Sequence, residues 1–300
     1  AEPIVEFARR FPWASVRYYD PKEQVLEQVR DLTTGTDVVI VHEFNEPEIV
    51  GAAGYVRRHR GDFLLLFHDT HHRLASVPHQ IVRLNLADYD GVLAFGQSLA
   101  KMYREALGFE NVHVFHEAAD LRTFFPMDRE RESDVVWIGN WGDNERAEQI
   151  TEYLIDTAAA MPGLRFTVRG VRFPAPVLTS FARGGIRYRG WVPNFQVPEV
   201  FARSQMTMHI MRSLYAGALP GIPTIRPFEA MACGIPLVTT VWHDPERLFR
   251  EGRDYLMAES PDEMRRHLQL LTGSEQRRQD LAGNALETIR SRHNCDLRAE

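Results

Sequence analysis

The chain has little that could staple it, anchor it or wrap it around a polyanion. Its two cysteines, Cys233 and Cys295, are too few for a disulfide framework and sit at no zinc-binding spacing, so a reducing compartment, the cytoplasm, is the simplest expectation. No apolar run approaches membrane-spanning length and no signal-peptide pattern opens the sequence, which leaves peripheral contact as the form a membrane association would take. A formal net charge of −6 supplies no global basic field, so nucleic acid is not an expected partner and any polyanion would have to bind locally. Internal repeats and low-complexity segments are also missing. What is present is 300 residues with 44% hydrophobic content, enough to bury a large core in two domains of ordinary size.

Short β-rich apolar runs alternate with longer helical patterns. In the first half, strands are predicted at Val16–Tyr19, Asp37–His42, Phe63–Phe67, Gly91–Phe95 and Asn111–Phe115, with helices near Lys22–Asp31, Glu46–His59, Val77–Leu84 and Ser98–Leu107. Continuous runs such as Val38–Val41 and Leu64–Phe67 suit strands covered on both faces, as in a parallel sheet. A polar stretch, Met127–Ser133, reads as a linker. Beyond it come strands at Asp134–Ile138, Arg165–Arg169, Ile186–Arg189, Met206–Ile210, Ile235–Thr239 and Asp254–Met257. The helices between them are expected near Glu145–Ala160, Ala175–Arg183, Val197–Arg203, Thr224–Cys233, Pro261–Leu271 and Glu275–Arg292. The fold class is therefore α/β: two doubly wound domains in tandem, residues 1–126 and 127–300, with ligands expected at the carboxyl ends of strands facing the cleft. Because Ser15–Tyr19 looks like an interior strand, the first domain is expected to lack its opening strand–helix unit.

The most informative stretch is Leu219–Thr240. Pro223 and Pro227 confine helix to the residues just after them, and Gly234 supplies a left-handed stop. The turn Gly221-Ile222-Pro223-Thr224 would aim backbone N–H groups and a positive helix end at one spot, where a phosphate can sit. Glu229 could accept hydrogen bonds from two adjacent hydroxyls, as on a ribose. Arg226, three residues earlier, shares its helix face and would either pair with Glu229 or bind ligand. In the strand-to-helix turn Gly139–Arg146, two glycines permit close backbone approach, which makes Gly139 and Asn140 ligand candidates, and Arg146 could neutralise a diphosphate. Gly170 repeats the strand-end glycine one unit later, and Arg212, after the strand Met206–Ile210, is another candidate phosphate clamp.

In the first half, His68-Asp-Thr-His-His72 falls at a strand end. Three histidines and an aspartate in five residues invite a metal, but there is no i, i+4 histidine pair with a nearby glutamate and no cysteine partner, so no metal is assigned. Asp69 or Thr70 is expected to cap the next helix, and His68 to face substrate. Glu43, also at a strand end, is a candidate carboxylate.

With these pieces in order, the chain resembles GT-B-fold glycosyltransferases, specifically the retaining, nucleotide-sugar-using group and its spore-maturation-like bacterial branch. The segment Phe115–Pro126 resembles the family's interdomain signature, with Asp120 and Pro126 in place and His116, Glu117 and Ala118 departing from it. Val136–Asn140 resembles the strand–glycine turn that opens the donor domain, Phe228–Val238 is the most specific match, and Leu248–Leu256 resembles the loop and strand that follow. The resemblance implies two Rossmann-like domains, acceptor-side then donor-side, with the terminal helix returning toward the first. It implies that Glu229 binds ribose, that Gly221–Thr224 approaches the diphosphate and the transferred sugar, and that basic residues such as Arg146 and Arg212 stabilise the leaving nucleotide diphosphate. It puts His68 beside the donor sugar. Many members carry a glutamate where this chain has Gly221, so sugar specificity does not carry over.

The expected activity is transfer of a sugar from a nucleotide diphosphate sugar, UDP- or GDP-linked, to an unidentified acceptor (glycan, protein, lipid or small molecule), retaining, without metal or other cofactor. Two alternatives stand beside it. A nucleotide-sugar epimerase or hydrolase on the same architecture would need positioned carboxylates, for which Glu43 and Glu117 are the candidates. The other is a non-catalytic sugar-nucleotide-binding module, since fold alone does not choose among functions.

Overall fold

The computed structural model describes residues 2–20, 22–142 and 144–300. The chain divides into two compact units, Ala1–Phe115 and His116–Glu300. Each is α/β, with a parallel sheet whose strands are joined by helical crossovers, as the alternating pattern requires.

Unit 1 carries four strands, β1 (Val38–His42), β2 (Leu64–Asp69), β3 (Gly91–Ala94) and β4 (Val112–Val114), in sequential order. Its core forms where inward residues of the strands, such as Leu65, Phe67 and Val92, meet Val50, Val56, Leu99 and Tyr103 from the helices Pro47–Arg60 and Gln97–Leu107. Unit 2 carries six strands: β5 (Ser133–Ile138), β6 (Phe166–Arg169), β7 (Arg187–Tyr188), β8 (Ser204–His209), β9 (Leu237–Thr240) and β10 (Leu256–Ala258). They lie in the order β10-β9-β8-β5-β6-β7, all parallel. Its core joins Val135, Trp137, Phe166, Met206, Met208 and Val238 of the strands to Ile150, Leu154, Phe181, Met264 and Leu268 of the helices.

That order positions the site. From β5 the chain builds outward through β6 and β7, then returns to the other side of β5 to lay down β8, β9 and β10. Winding direction therefore reverses between β5 and β8. The connections leaving adjacent strands there go to opposite sides and open a crevice at the carboxyl ends.

Several expectations need correction. Val16–Tyr19 has strand-like composition but forms no strand, and Val16 and Tyr18 are exposed. A strand needs a ladder partner, and β1 pairs with β2 alone among the described residues. Nor are the apolar runs of β1 and β2 covered on both faces: Val38, Ile40 and Leu64 are each about half exposed, at 51%, 53% and 44%. The helix anticipated over Val77–Leu84 is two single turns, Arg73–Ser76 and His79–Val82, broken at Pro78, which has no N–H to continue the first. The helix expected near Glu145–Ala160 opens with one α-turn, passes through a π-helical stretch at Ile150–Ile155 and resumes as α-helix to Ala160. Helices Ser213–Ala218 and Cys295–Ala299 are too short to show a sequence period, and Glu2–Arg10, which is amphipathic, was not anticipated either.

Candidate functional site

The switch point is walled by backbone. β5 ends at Ile138 and runs into Gly139 and Asn140, while β6 runs into Gly170. Gly170 has φ +146°, and a Cβ there would lie 1.8 Å from the carbonyl oxygen of Gly139, so the two strand ends meet only because a side chain is missing. Asn140 secures the meeting by accepting the Val171 N–H on Oδ1 at 3.0 Å. Asp143 of the Gly139–Arg146 turn lies outside the described residues.

Arg146 spans the crevice. Its Nη2 donates to the carbonyl of Asn140 (2.5 Å), after β5, and its Nη1 to that of Ile210 (3.2 Å), after β8. The guanidinium also lies over the Trp137 ring at 5.4 Å. Arg146 makes no ion pair among the described residues. Burial, with Arg212 nearby, pushes its pKa down to about 10, still far above neutrality. A desolvated cation held only by neutral carbonyls attracts an anion. Arg212 differs: its Nε and Nη2 embrace the Glu145 carboxylate at 3.0 and 2.5 Å. Sequence reasoning paired Arg212 with phosphate and gave Glu145 no role.

Farther along the rim, Thr240 Oγ1 accepts the Met211 N–H (2.9 Å) and His209 Nδ1 lies 3.0 Å from Thr239 Oγ1. Burial first, then Arg146 and Arg226, push His209 down to about 3, so the ring is neutral near pH 7. Glu229 is buried, 2% exposed, on the helix Ile225–Ala232. Asn194 donates to its Oε1 at 2.7 Å and Arg226 to its Oε2 at 2.5 Å. The pairing of Arg226 with Glu229 anticipated from their spacing is thus present. Burial raises the Glu229 pKa, while Arg226 and Asn194 pull it back. Each carboxylate oxygen keeps lone-pair capacity beyond these bonds.

The turn before that helix is tightly constrained. Gly221 has φ +90°, and a Cβ there would lie 2.8 Å from Glu246 Oε1; Glu246 in turn meets His116 Nε2 at 2.9 Å. Ile222 and Pro223 are buried. Thr224 holds φ +65°, costly for a β-branched residue and typical of backbone fixed for a ligand or a sharp chain reversal.

In unit 1 the strand-end side chains lie against one another. Glu43, fully buried, has Oε2 2.8 Å from His42 Nδ1 without hydrogen-bond geometry, while His42 Nε2 lies 3.1 Å from Thr70 Oγ1, so a hydroxyl, an imidazole and a carboxylate stand side by side. His68 sits edge-on to His42 and Phe115, and burial pushes its pKa down. Neither Asp69 nor Thr70 caps the following helix, whose flanking residue is His72. Asp69 is instead drawn into the core, where Oδ1 accepts the His71 N–H (2.9 Å) and Oδ2 the Tyr103 hydroxyl (2.7 Å), and burial raises it to about 7.

Within unit 2 the structure therefore gathers Gly139, Asn140, Gly170, Arg146 and Arg212 at the switch point and joins Arg226 to Glu229; His68 belongs to unit 1. Sequence reasoning missed Asn194 and His209, which sit in no motif, and gave Glu145 no role although it lies in the Gly139–Arg146 turn.

Comparison with known proteins agrees with this architecture. Sucrose-phosphate synthase from Thermosynechococcus elongatus superposes with a TM-score of 0.65 at 14% identity, over 95% of this chain and 79% of that one. Anabaena Alr3699/HepE, solved in complex with UDP, gives 0.67 at 16% identity over 91% and 79%. A variant of S. aureus TarM in complex with fondaparinux, alpha-GlcNAc-glycerol and UDP gives 0.68 at 10% identity over 92% and 56%, so this chain spans little more than half of TarM's length. At these identities the likeness is one of fold. No curated protein matches the sequence. The glycosyl transferase-like family matches residues 145–300, just over half of the chain and all but the first strand of unit 2's sheet. The chain belongs to that family and is a glycosyltransferase of GT-B fold.

Proposed function

We propose that the chain transfers a sugar from a nucleoside diphosphate sugar, UDP- or GDP-linked, held at the strand ends of unit 2. The observation that carries this reading is Arg146, a desolvated cation whose partners among the described residues are two carbonyls and the Trp137 ring, at the switch point and beside the close approach of Gly139 and Gly170. A diphosphate there would meet Arg146, whose charge stabilises the one that builds as the bond between the anomeric carbon and the diphosphate oxygen breaks. Glu229, steadied by Asn194 and Arg226, has acceptor capacity for the two ribose hydroxyls. The acceptor's hydroxyl oxygen forms the new bond at the anomeric carbon. Retention of configuration and independence of metal follow the family resemblance, and a cytoplasmic site of action follows from the sparse cysteines. HepE and TarM, the similar structures solved with UDP, make UDP the first nucleotide to try.

The test is a thermal-shift panel of nucleoside diphosphates and their sugars, repeated with Glu229→Ala. One nucleotide should raise the midpoint in proportion to its affinity, and the substitution should abolish most of the rise. A panel without response, or a response unchanged in the variant, would overturn the reading. Anomeric configuration of the product, read by NMR coupling constants, tests retention separately.

A further inference from the structure

Away from the strand-end rim, four arginines line one cavity of about 150 Å³ between the sheet of unit 2 and the helix Val197–Ala202. Thr167 and Arg169 of β6 and Arg187 of β7 approach from the sheet, Arg189 from just beyond β7 and Arg203 from the helix end; Glu132 is the acidic lining residue. The charges do not balance. Arg203 takes Glu132, its Nη1 donating to Oε1 at 2.6 Å. Arg169, Arg187 and Arg189 have no carboxylate at ion-pairing distance among the described residues. Arg169 Nη1 donates to the backbone carbonyl of Arg189 at 2.6 Å, while its Nε–H is buried without an acceptor. Burial first, then the neighbouring Arg189, push the Arg169 guanidinium down from its usual range, with Glu132 opposing them.

We propose that this cavity is a phosphate site, apart from the nucleotide site described above, taking a phosphate group either free or as the terminal monoester of a small molecule. An unpartnered Nε–H and three uncompensated guanidinium forks match the oxygens and charge of a dianion. The volume admits a phosphate group and falls well short of the roughly 300–1,000 Å³ of pockets that enclose drug-sized ligands. Arg187 and Arg189 are exposed, so a group esterified to the phosphate can extend into solvent.

Isothermal titration with inorganic phosphate, and separately with glycerol 3-phosphate, at matched ionic strength tests the proposal. The wild type should bind one equivalent with a Kd at or below about 1 mM. The double variant Arg187→Glu/Arg189→Glu should weaken binding at least about tenfold, whereas Arg146→Gln should leave it unchanged. Both reversed residues are exposed, and Arg189→Gln alone serves should the double variant melt early. Tighter binding of the monoester marks a phosphorylated small molecule as the occupant; tighter binding of the bare anion marks free phosphate. The proposal is overturned by the lack of saturable binding up to about 20 mM, or by binding that the Arg189 variants leave intact and Arg146→Gln abolishes.

Discussion

At the carboxyl ends of β1 and β2, unit 1 fills the available space by packing side chain against side chain: Glu43 beside His42, His42 with Thr70, Asp69 with Tyr103. At the ends of β5, β6 and β8, unit 2 brings backbone against backbone at Gly139 and Gly170 and leaves Arg146, among the described residues, hydrogen-bonded to carbonyls. Two sheets of the same class thus finish differently. A rim of paired side chains is stable without a ligand and titrates. A rim of glycine and unneutralised cation offers room and charge to an anion, at a cost in stability that the ligand offsets.

The comparison breaks most directly at Gly170. Alanine there needs φ near +146° and puts Cβ 1.8 Å from the Gly139 oxygen, so one strand end must move. The expected cost is about 3–5 kcal/mol, in the range of the severe backbone mechanisms. The matched control lies in unit 1: at Gly51, inside the helix Pro47–Arg60, an added Cβ would meet nothing within 4 Å, and alanine there should be neutral or stabilise by up to about 1 kcal/mol. Urea unfolding of both variants checks the pair. A Gly170→Ala variant as stable as the wild type would mean that the strand ends are not held by close backbone approach.

The units also differ in how they titrate. Asp69 in unit 1 is raised to about 7 by burial, from an ordinary 3.8. The native state then keeps a proton that the unfolded chain releases, so this contribution is complete below pH 3.8 and disappears as pH rises through 7. His209 and His293 in unit 2 are lowered by burial to about 3 and 4. Their contribution has the opposite sign: present above pH 6.5 and lost as pH falls toward those values. His68 in unit 1 and Glu229 in unit 2, one lowered and the other raised by burial, each oppose their own unit's trend, so the comparison needs single variants. Asp69→Asn mimics the protonated carboxyl and should remove a loss of about 2–3 kcal/mol that the wild type suffers between about pH 5 and pH 8. Parallel stability–pH curves for variant and wild type would show that Asp69 ionises normally.

What could be read in the sequence was local. Pro223, Gly234 and the spacing of Arg226 and Glu229 fix the turn, the helix stop and a shared face within one short stretch, and the Ile225–Ala232 helix follows from them. Strand-end glycines were legible for the same reason: glycine marks close approach wherever it ends a buried run. Contacts made across the fold were not. Asn194 reaches Glu229 from 35 positions away and Arg146 reaches the Ile210 carbonyl from 64, and no pattern in either segment announces its partner. Val16–Tyr19 failed for a related reason, since β composition describes one segment while a strand requires two. The Arg212–Glu145 pair was hidden because an arginine after a strand reads the same whether its counter-ion is a ligand or a carboxylate 67 positions away.

That last ambiguity gives the smallest effect and the sharpest contrast within unit 2. Arg212 already has a bidentate carboxylate on it, so a phosphate must displace or share Glu145, and the gain in binding is reduced by what the pair gives up. Arg146 has no such competitor, and its cost of desolvation is met in the folded protein before any ligand arrives. Arg146→Gln should therefore weaken nucleoside diphosphate binding by about tenfold or more, roughly 1.4 kcal/mol. Arg212→Gln should change it by less than about threefold. Glu145→Gln separates this account from one in which Arg212 is merely distant: freeing Arg212 should tighten binding measurably. Equal losses for the two arginine variants, with no gain on removing the Glu145 charge, would show that neutralisation by a neighbour does not decide which cation the anion uses.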